Sequence, residues 1–198
     1  MEQTSVPTPG KPQSAAAIFL ACDQLNHILI ENLITETWTA KPPGAVRPIV
    51  AIFTHMQNIR IKWIRLNAPH LSAPERLNRF HCTQAEASAA LKLSAALCAT
   101  LLTEALDVPT GRIPTFRRDG WANPQPAGTD VLCYMLMHEA HHRGQICMLA
   151  HQLGRPLPGK ITAALWDWTA ISAPPARASK PLPTNKPALP PRRSSKQT

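Results

Sequence analysis

Prolines set the outer limits of regular structure in this chain. Pro42-Pro43, Pro48, Pro69 and Pro156 border four long segments in which apolar residues recur every three or four positions. Proline lacks the amide proton an interior helical turn needs and clashes with the turn before it, so helices fall between such breaks. The first segment opens after Ser14, a suitable N-cap, and runs to about Thr37. The second begins near Pro48, where the missing N–H is harmless, and ends before Pro69. Its Ile49, Ile52, Met56, Ile59, Trp63 and Leu66 form one stripe. The third opens with TQAE at 83–86, a capping box, and continues through Leu91, Leu97, Leu101 and Leu102 to about Leu106. The fourth runs from near Thr129 to Gly154, with Pro156 just beyond.

No segment alternates with the period of a strand, and β-branched residues are sparse. Apolar residues make up 44% of the chain and aromatics only 5%, with Ala and Leu prominent, which favours helices. The expectation is an all-α, antiparallel-type four-helix bundle in a single domain. The stretch DVPTGRIPTFRRDGWANPQPAG, between the third and fourth helices, reads as a long loop of the kind that borders a site. ALWDWTA at 163–169 reads as a short extra C-terminal helix, with Trp121, Trp166 and Trp168 available to cover one end of the bundle or roof a pocket.

The net charge of +9 suggests nucleic acid until it is located. Six basic residues and no acidic ones lie between Pro174 and Thr198, leaving +3 on the rest. That proline-rich segment holds too little apolar side chain to offset the entropy of ordering. The expected organisation is therefore a disordered N-terminus over 1–13, a bundle over 14–172 and a disordered basic tail over 173–198. A solvated tail is the simple reading; a tether to nucleic acid or a proline-reading domain is the alternative.

Five cysteines, an odd number without a C-x-x-C pair, read as reduced thiols in a cytoplasmic protein. AAAIFLAC at 15–22 has too short an apolar run, and no basic cluster before it, for a secretion signal. No uncharged apolar stretch is long enough to span a bilayer.

The chemistry concentrates in HEAHHRGQI at 138–146. His138 and His142 lie about 40° apart on a helical wheel, and Val131, Met135, Gln145, Leu149 and Leu153 fall within about 60° of His138. Two imidazoles on a buried face are costly unless each bonds a neighbouring helix or both share a ligand. His141 flanks this face, His151 points away, and Arg143 points to the far side, toward an inter-helix or surface ion pair, with a substrate contact as the alternative. His55, at the edge of the second helix's stripe, is a candidate for a third ligand, though by itself it reads as an ordinary core or boundary histidine; His27, His70 and His81 are weaker candidates. Cys133 and Cys147 point away from His138. A nitrogen-rich set of this kind suits Zn, Ni, Fe or Mn. Gln145 could orient a ligand histidine or bond a helix backbone; Glu139 could accept a hydrogen bond near the site or face solvent.

The embedded H-E-x-x-H does not make a zinc protease. Its extended form needs glycine where Gln145 stands and histidine where Met148 stands, and no strand is available to hold an extended peptide.

RPIVAIFTHMQNIRIKW together with HEAHHRGQICMLAHQLG resembles the DinB-like family of metal-dependent proteins, over roughly residues 15–170. The resemblance implies a four-helix bundle and three histidine ligands, which carry over to His55, His138 and His142. It also implies a divalent ion and, in some relatives, a low-molecular-weight thiol co-substrate for S-transfer or isomerisation in detoxification or stress response. A non-catalytic metal- or ligand-binding bundle is the other reading the ligands permit. The expected partner is a small-molecule substrate, with pairing through an exposed helix face giving a homodimer and no role for nucleic acid or membrane.

Overall fold

The computed structural model describes residues 14–44, 46–106, 110–113, 115–118 and 120–167. Expectations for residues 1–13, for the tail and for Trp168 lie outside the described residues. Among the described residues, six helices and two strands follow in order: α1 Ala15–Asn32, α2 Thr35–Thr39, α3 Ile49–Asn67, α4 Gln84–Leu106, β1 Thr115–Arg118, β2 Trp121–Pro124, α5 Gly128–Gln152 and α6 Gly159–Ala164. The long helices α1, α3, α4 and α5 form the bundle, as the periodicity requires.

Local chemistry accounts for several helix ends. Ser14 Oγ accepts from Ala17 N at 3.2 Å. At the start of α4, Thr83 N donates to Glu86 Oε2 at 2.8 Å and Glu86 N donates to Thr83 Oγ1 at 3.2 Å, so the capping box forms. α5 closes with Gly154 at φ +73° and reciprocal bonds, Gly154 N to His151 O and Arg155 N to Ala150 O. At the other end of α5, a side chain on Gly128 would collide with Leu106, its Cβ falling 1.9 Å from Leu106 Cδ2. Glycine is what lets α5 start against the end of α4.

The first helix is shorter than its periodicity suggests. It stops at Asn32, and the chain turns through Leu33 and Ile34 into α2. Tertiary contacts decide this: Trp38 stacks on Phe53 at 5.1 Å and donates to Cys82 O at 2.7 Å. Gln84 from α4 donates to the carbonyls of Ile30 and Leu33, satisfying the end of α1. The stripe on α3 is buried as expected except at Leu66, which is 43% exposed in the last turn. The short C-terminal helix lies over 159–164, earlier than ALWDWTA suggests, and Trp166 just after it is 86% exposed.

The bundle is not simply antiparallel. One apolar cluster joins the end of α1 (Leu29, Leu33), the start of α3 (Ile49, Phe53), the start of α4 (Ala87, Leu91) and the end of α5 (Ile146, Ala150). The other joins the start of α1 (Phe19), the end of α3 (Trp63), the end of α4 (Leu102) and the start of α5 (Met135). Hence α3 and α4 run parallel, and the segment between them travels back along the bundle.

Between the two clusters lies a polar layer with a residue from each long helix. Arg60 on α3 is fully buried. It donates through Nε to Glu139 Oε1 at 2.5 Å, through Nη2 to Glu139 Oε2 and Asp23 Oδ1, and through Nη1 to Leu91 O and Ser94 Oγ. All five guanidinium donors are used, the condition under which a buried charge is tolerable. Asn26 donates to Glu139 at 2.9 Å, and Arg143 donates to Asn26 at 3.3 Å across the α1–α5 contact. Burial alone would raise the Asp23 pKa, but the Arg60 charge, with hydrogen bonds from His27 and Arg60, holds it below the ordinary value.

The loop between α4 and α5 contains an antiparallel hairpin, a correction to the expectation of no strand. β1 and β2 pair from Thr115 opposite Pro124 to Arg118 opposite Trp121. Asn67, the last residue of α3, accepts from Arg117 N at 2.7 Å and donates to Arg117 O at 3.1 Å, tying the hairpin to the bundle.

α4 is, among the described residues, one helix long and apolar enough by length and composition to cross a membrane. Its buried side, including Leu91, Ala95 and Leu102, packs in the bundle instead, while Glu86, Lys92 and Glu104 are exposed.

Candidate metal centre

α3 and α5 pack antiparallel, and this brings His55 to the two histidines of α5. Ring centroids lie 5.5 Å apart for His55 and His138, 4.8 Å for His55 and His142, and 4.6 Å for His138 and His142. One nitrogen from each ring lies within 4.8 Å of the others. Donors on one tetrahedral ion, each bonded at about 2.0–2.1 Å, stand about 3.4 Å apart. The group is therefore preformed to within a small side-chain adjustment.

Both nitrogens of His138 are buried and lack a hydrogen-bond partner. Leaving such groups unsatisfied costs about 1–3 kcal/mol each, a cost that a ligand removes. His142 Nδ1 stands 2.7 Å from Gln145 Oε1. A carbonyl only accepts, so Nδ1 carries the proton and Nε2 keeps its lone pair. Burial, together with the charge of its neighbours His142, His55 and Arg118, pushes the His138 pKa down to about 3. Burial, His142 and Arg47 push His55 down to about 4. Burial also lowers His142 despite its bond to Gln145. The three rings are neutral near pH 7 and offer lone pairs. Three imidazoles with two orphaned nitrogens fit a borderline divalent ion.

An aromatic wall stands beside this group. Trp63 meets His138 edge-on at 5.4 Å and Tyr134 at 5.9 Å. The hairpin adds Phe116 and Trp121, 5.9 and 5.7 Å from Tyr134, and Trp121 is 45% exposed at the rim. Arg118 donates to the Tyr134 hydroxyl and so ties the hairpin to the helix that carries the histidines.

The other sequence candidates lie elsewhere. His27 bridges Asp23 and Ser88 between α1 and α4. His70 pairs with Glu104 near the surface, and His81 and His151 are exposed. His141 is exposed and packs against His142 at 5.1 Å. Cys133 is exposed and Cys147 half-buried, neither in the histidine group. Glu139 faces neither solvent nor a histidine nitrogen; both its oxygens are taken by Arg60 and Asn26. The sequence pattern assigns no role to Arg60, Asp23 or Tyr134, and gives Trp63 only a place in the apolar stripe of α3. A charge at position 60, on the stripe of Met56 and Trp63, was the available signal for the polar layer.

A family model described as the DinB family matches residues 13–173, most of the chain. The chain belongs to the DinB family. The DinB match spans both histidine-bearing helices and the polar layer between the apolar clusters. DinB proteins are typically metal-dependent, and this one keeps a three-histidine group. No curated protein matches the chain.

Proposed function

We propose that this DinB protein is a divalent-metal-dependent enzyme acting with a low-molecular-weight thiol, an S-transferase or isomerase in detoxification or stress response. The observation that carries the reading is His138, whose two buried nitrogens have no partner and which stands in one group with His55 and His142. These three would hold Zn, Ni, Fe or Mn, leaving room for a further ligand. A divalent ion there supplies stabilisation of thiolate over thiol at neutral pH.

The chain's own residues prepare that chemistry. Gln145 fixes the tautomer of His142. Three neutral imidazoles leave the ion's charge uncompensated, which favours an anionic ligand. Trp63, Tyr134 and Phe116 exclude water from one side, and an apolar acceptor can pack on them. In a transfer the thiol sulfur forms the new S–C bond, the leaving group departs with its electron pair, and the thiol proton goes to solvent. Such thiols are kept reduced in the cytoplasm, and five unpaired cysteines agree with that compartment.

Metal-loaded protein assayed with glutathione, mycothiol and bacillithiol against a chloronitrobenzene acceptor tests the proposal. Conjugation with at least one thiol, lost in His138→Ala, is expected. Silence across the panel from protein with metal bound would leave a binding bundle without turnover.

A further inference from the structure

His55 has a second neighbourhood. On its other flank lies a recess of about 230 Å³ whose lining includes Arg47, His55, Asn58, Arg79 and Phe80, but neither His138 nor His142. Among the described residues no acidic side chain lines it. Among the described residues neither Arg47 nor Arg79 forms an ion pair.

The chain holds Arg79 over this recess by a specific device. Asn58 on α3 accepts from Leu77 N and donates to Leu77 O, both at 3.0 Å, pinning the returning segment two residues before Arg79. Asn78 Oδ1 accepts from Phe80 N at 2.9 Å, closing a turn around Arg79. The Arg79 guanidinium then rests on the Phe80 ring, 4.6 Å from its centroid. Arg47 also lines the recess, two residues before α3, whose first turn has no acidic residue. The Thr54 hydroxyl in the lining already donates to Ala51 O, so the two arginines are the charged donors the recess offers.

Two guanidiniums at the rim of one recess make its mouth positive, which favours an anion. Their planar donor forks match a carboxylate. The volume far exceeds the roughly 10–15 Å³ that one water requires. We propose that the recess binds a carboxylate group of a small acidic ligand of the neighbouring histidine group, with Arg47 and Arg79 as its recognition residues. This deepens the proposed function by naming a ligand class, and rests on that reading only for the ion beside it.

The test is calorimetric titration of the metal-free full chain with succinate and with its neutral analogue succinamide. Succinate is expected to bind at least tenfold more tightly, to weaken with added salt, and to bind His142→Ala as it binds wild type. The exposed pair Arg47→Gln and Arg79→Gln together are expected to weaken succinate at least tenfold with an unchanged melting temperature. Glutathione added in competition assigns the carboxylate to the thiol if it displaces succinate and to the acceptor if it does not. Equal binding of succinamide, undiminished binding in the double variant, or binding that appears only with metal overturns the proposal. Because the titration uses metal-free protein, its result stands apart from whether the histidines hold an ion.

Discussion

Arg60 Nε lies 2.5 Å from Glu139 Oε1, and Glu139 directly follows His138 on α5. The buried ion pair thus locks the helix turn from which a candidate ligand projects. Stability and site geometry share one anchor.

Arg60→Met strands Glu139 and Asp23 as buried charges. A loss of about 3–5 kcal/mol is expected. Arg60→Lys should recover only part of it, because an ammonium cannot reproduce five forked donors. Urea unfolding measures both; a loss under about 1 kcal/mol in Arg60→Met would remove the polar layer as an anchor.

Acid should act through Asp23. Its folded pKa lies below the ordinary 3.8, held there by Arg60 and His27 against the opposing effect of burial. The stabilisation is therefore complete above about pH 4 and is lost as pH falls through the folded value. Unfolding midpoints followed from pH 5 downward should drop more steeply for wild type than for Asp23→Asn. Parallel curves would contradict the assignment.

Gln145→Leu removes the acceptor that fixes His142. Metal affinity should fall about 10- to 100-fold, read by competition with a chelating dye, while Gln145→Glu, which keeps an acceptor, should stay closer to wild type. Identical affinities in all three proteins would reduce Gln145 to packing.

Asn67→Ala cuts the two bonds that tie the hairpin to α3. At about 0.5–1.5 kcal/mol per bond, the hairpin amides should exchange roughly tenfold or more faster while those of α3 and α5 are little changed. Unaltered hairpin exchange would show that Arg118 and Tyr134 alone hold it.

What was legible in the sequence was local. Thr83 and Glu86 are three residues apart, so their capping box is visible in four letters. His138 and His142 are one turn apart, so a wheel places them on one face. Relations fixed only by packing were not legible. Ile34 continues the apolar rhythm of α1, and the helix breaks there because Trp38 must reach Phe53 and Cys82. The parallel run of α3 and α4 depends on a returning segment with no periodic signal. Strands of four residues, one of them wholly exposed, are too short for alternation to appear; the Asp119-Gly120 pair between them was the usable hint. Glu139 falls between the faces of its wheel, and only Arg60 on another helix decides which way it turns.

Metal content tests the three-histidine centre most directly. Elemental analysis of protein loaded with Zn, Ni, Fe or Mn and then desalted should find one divalent ion per chain in wild type. His55→Ala, His138→Ala and His142→Ala, each still folded by circular dichroism, should lose it. A wild type that keeps no ion, or a folded His138→Ala that keeps a full equivalent, would contradict the three-histidine centre.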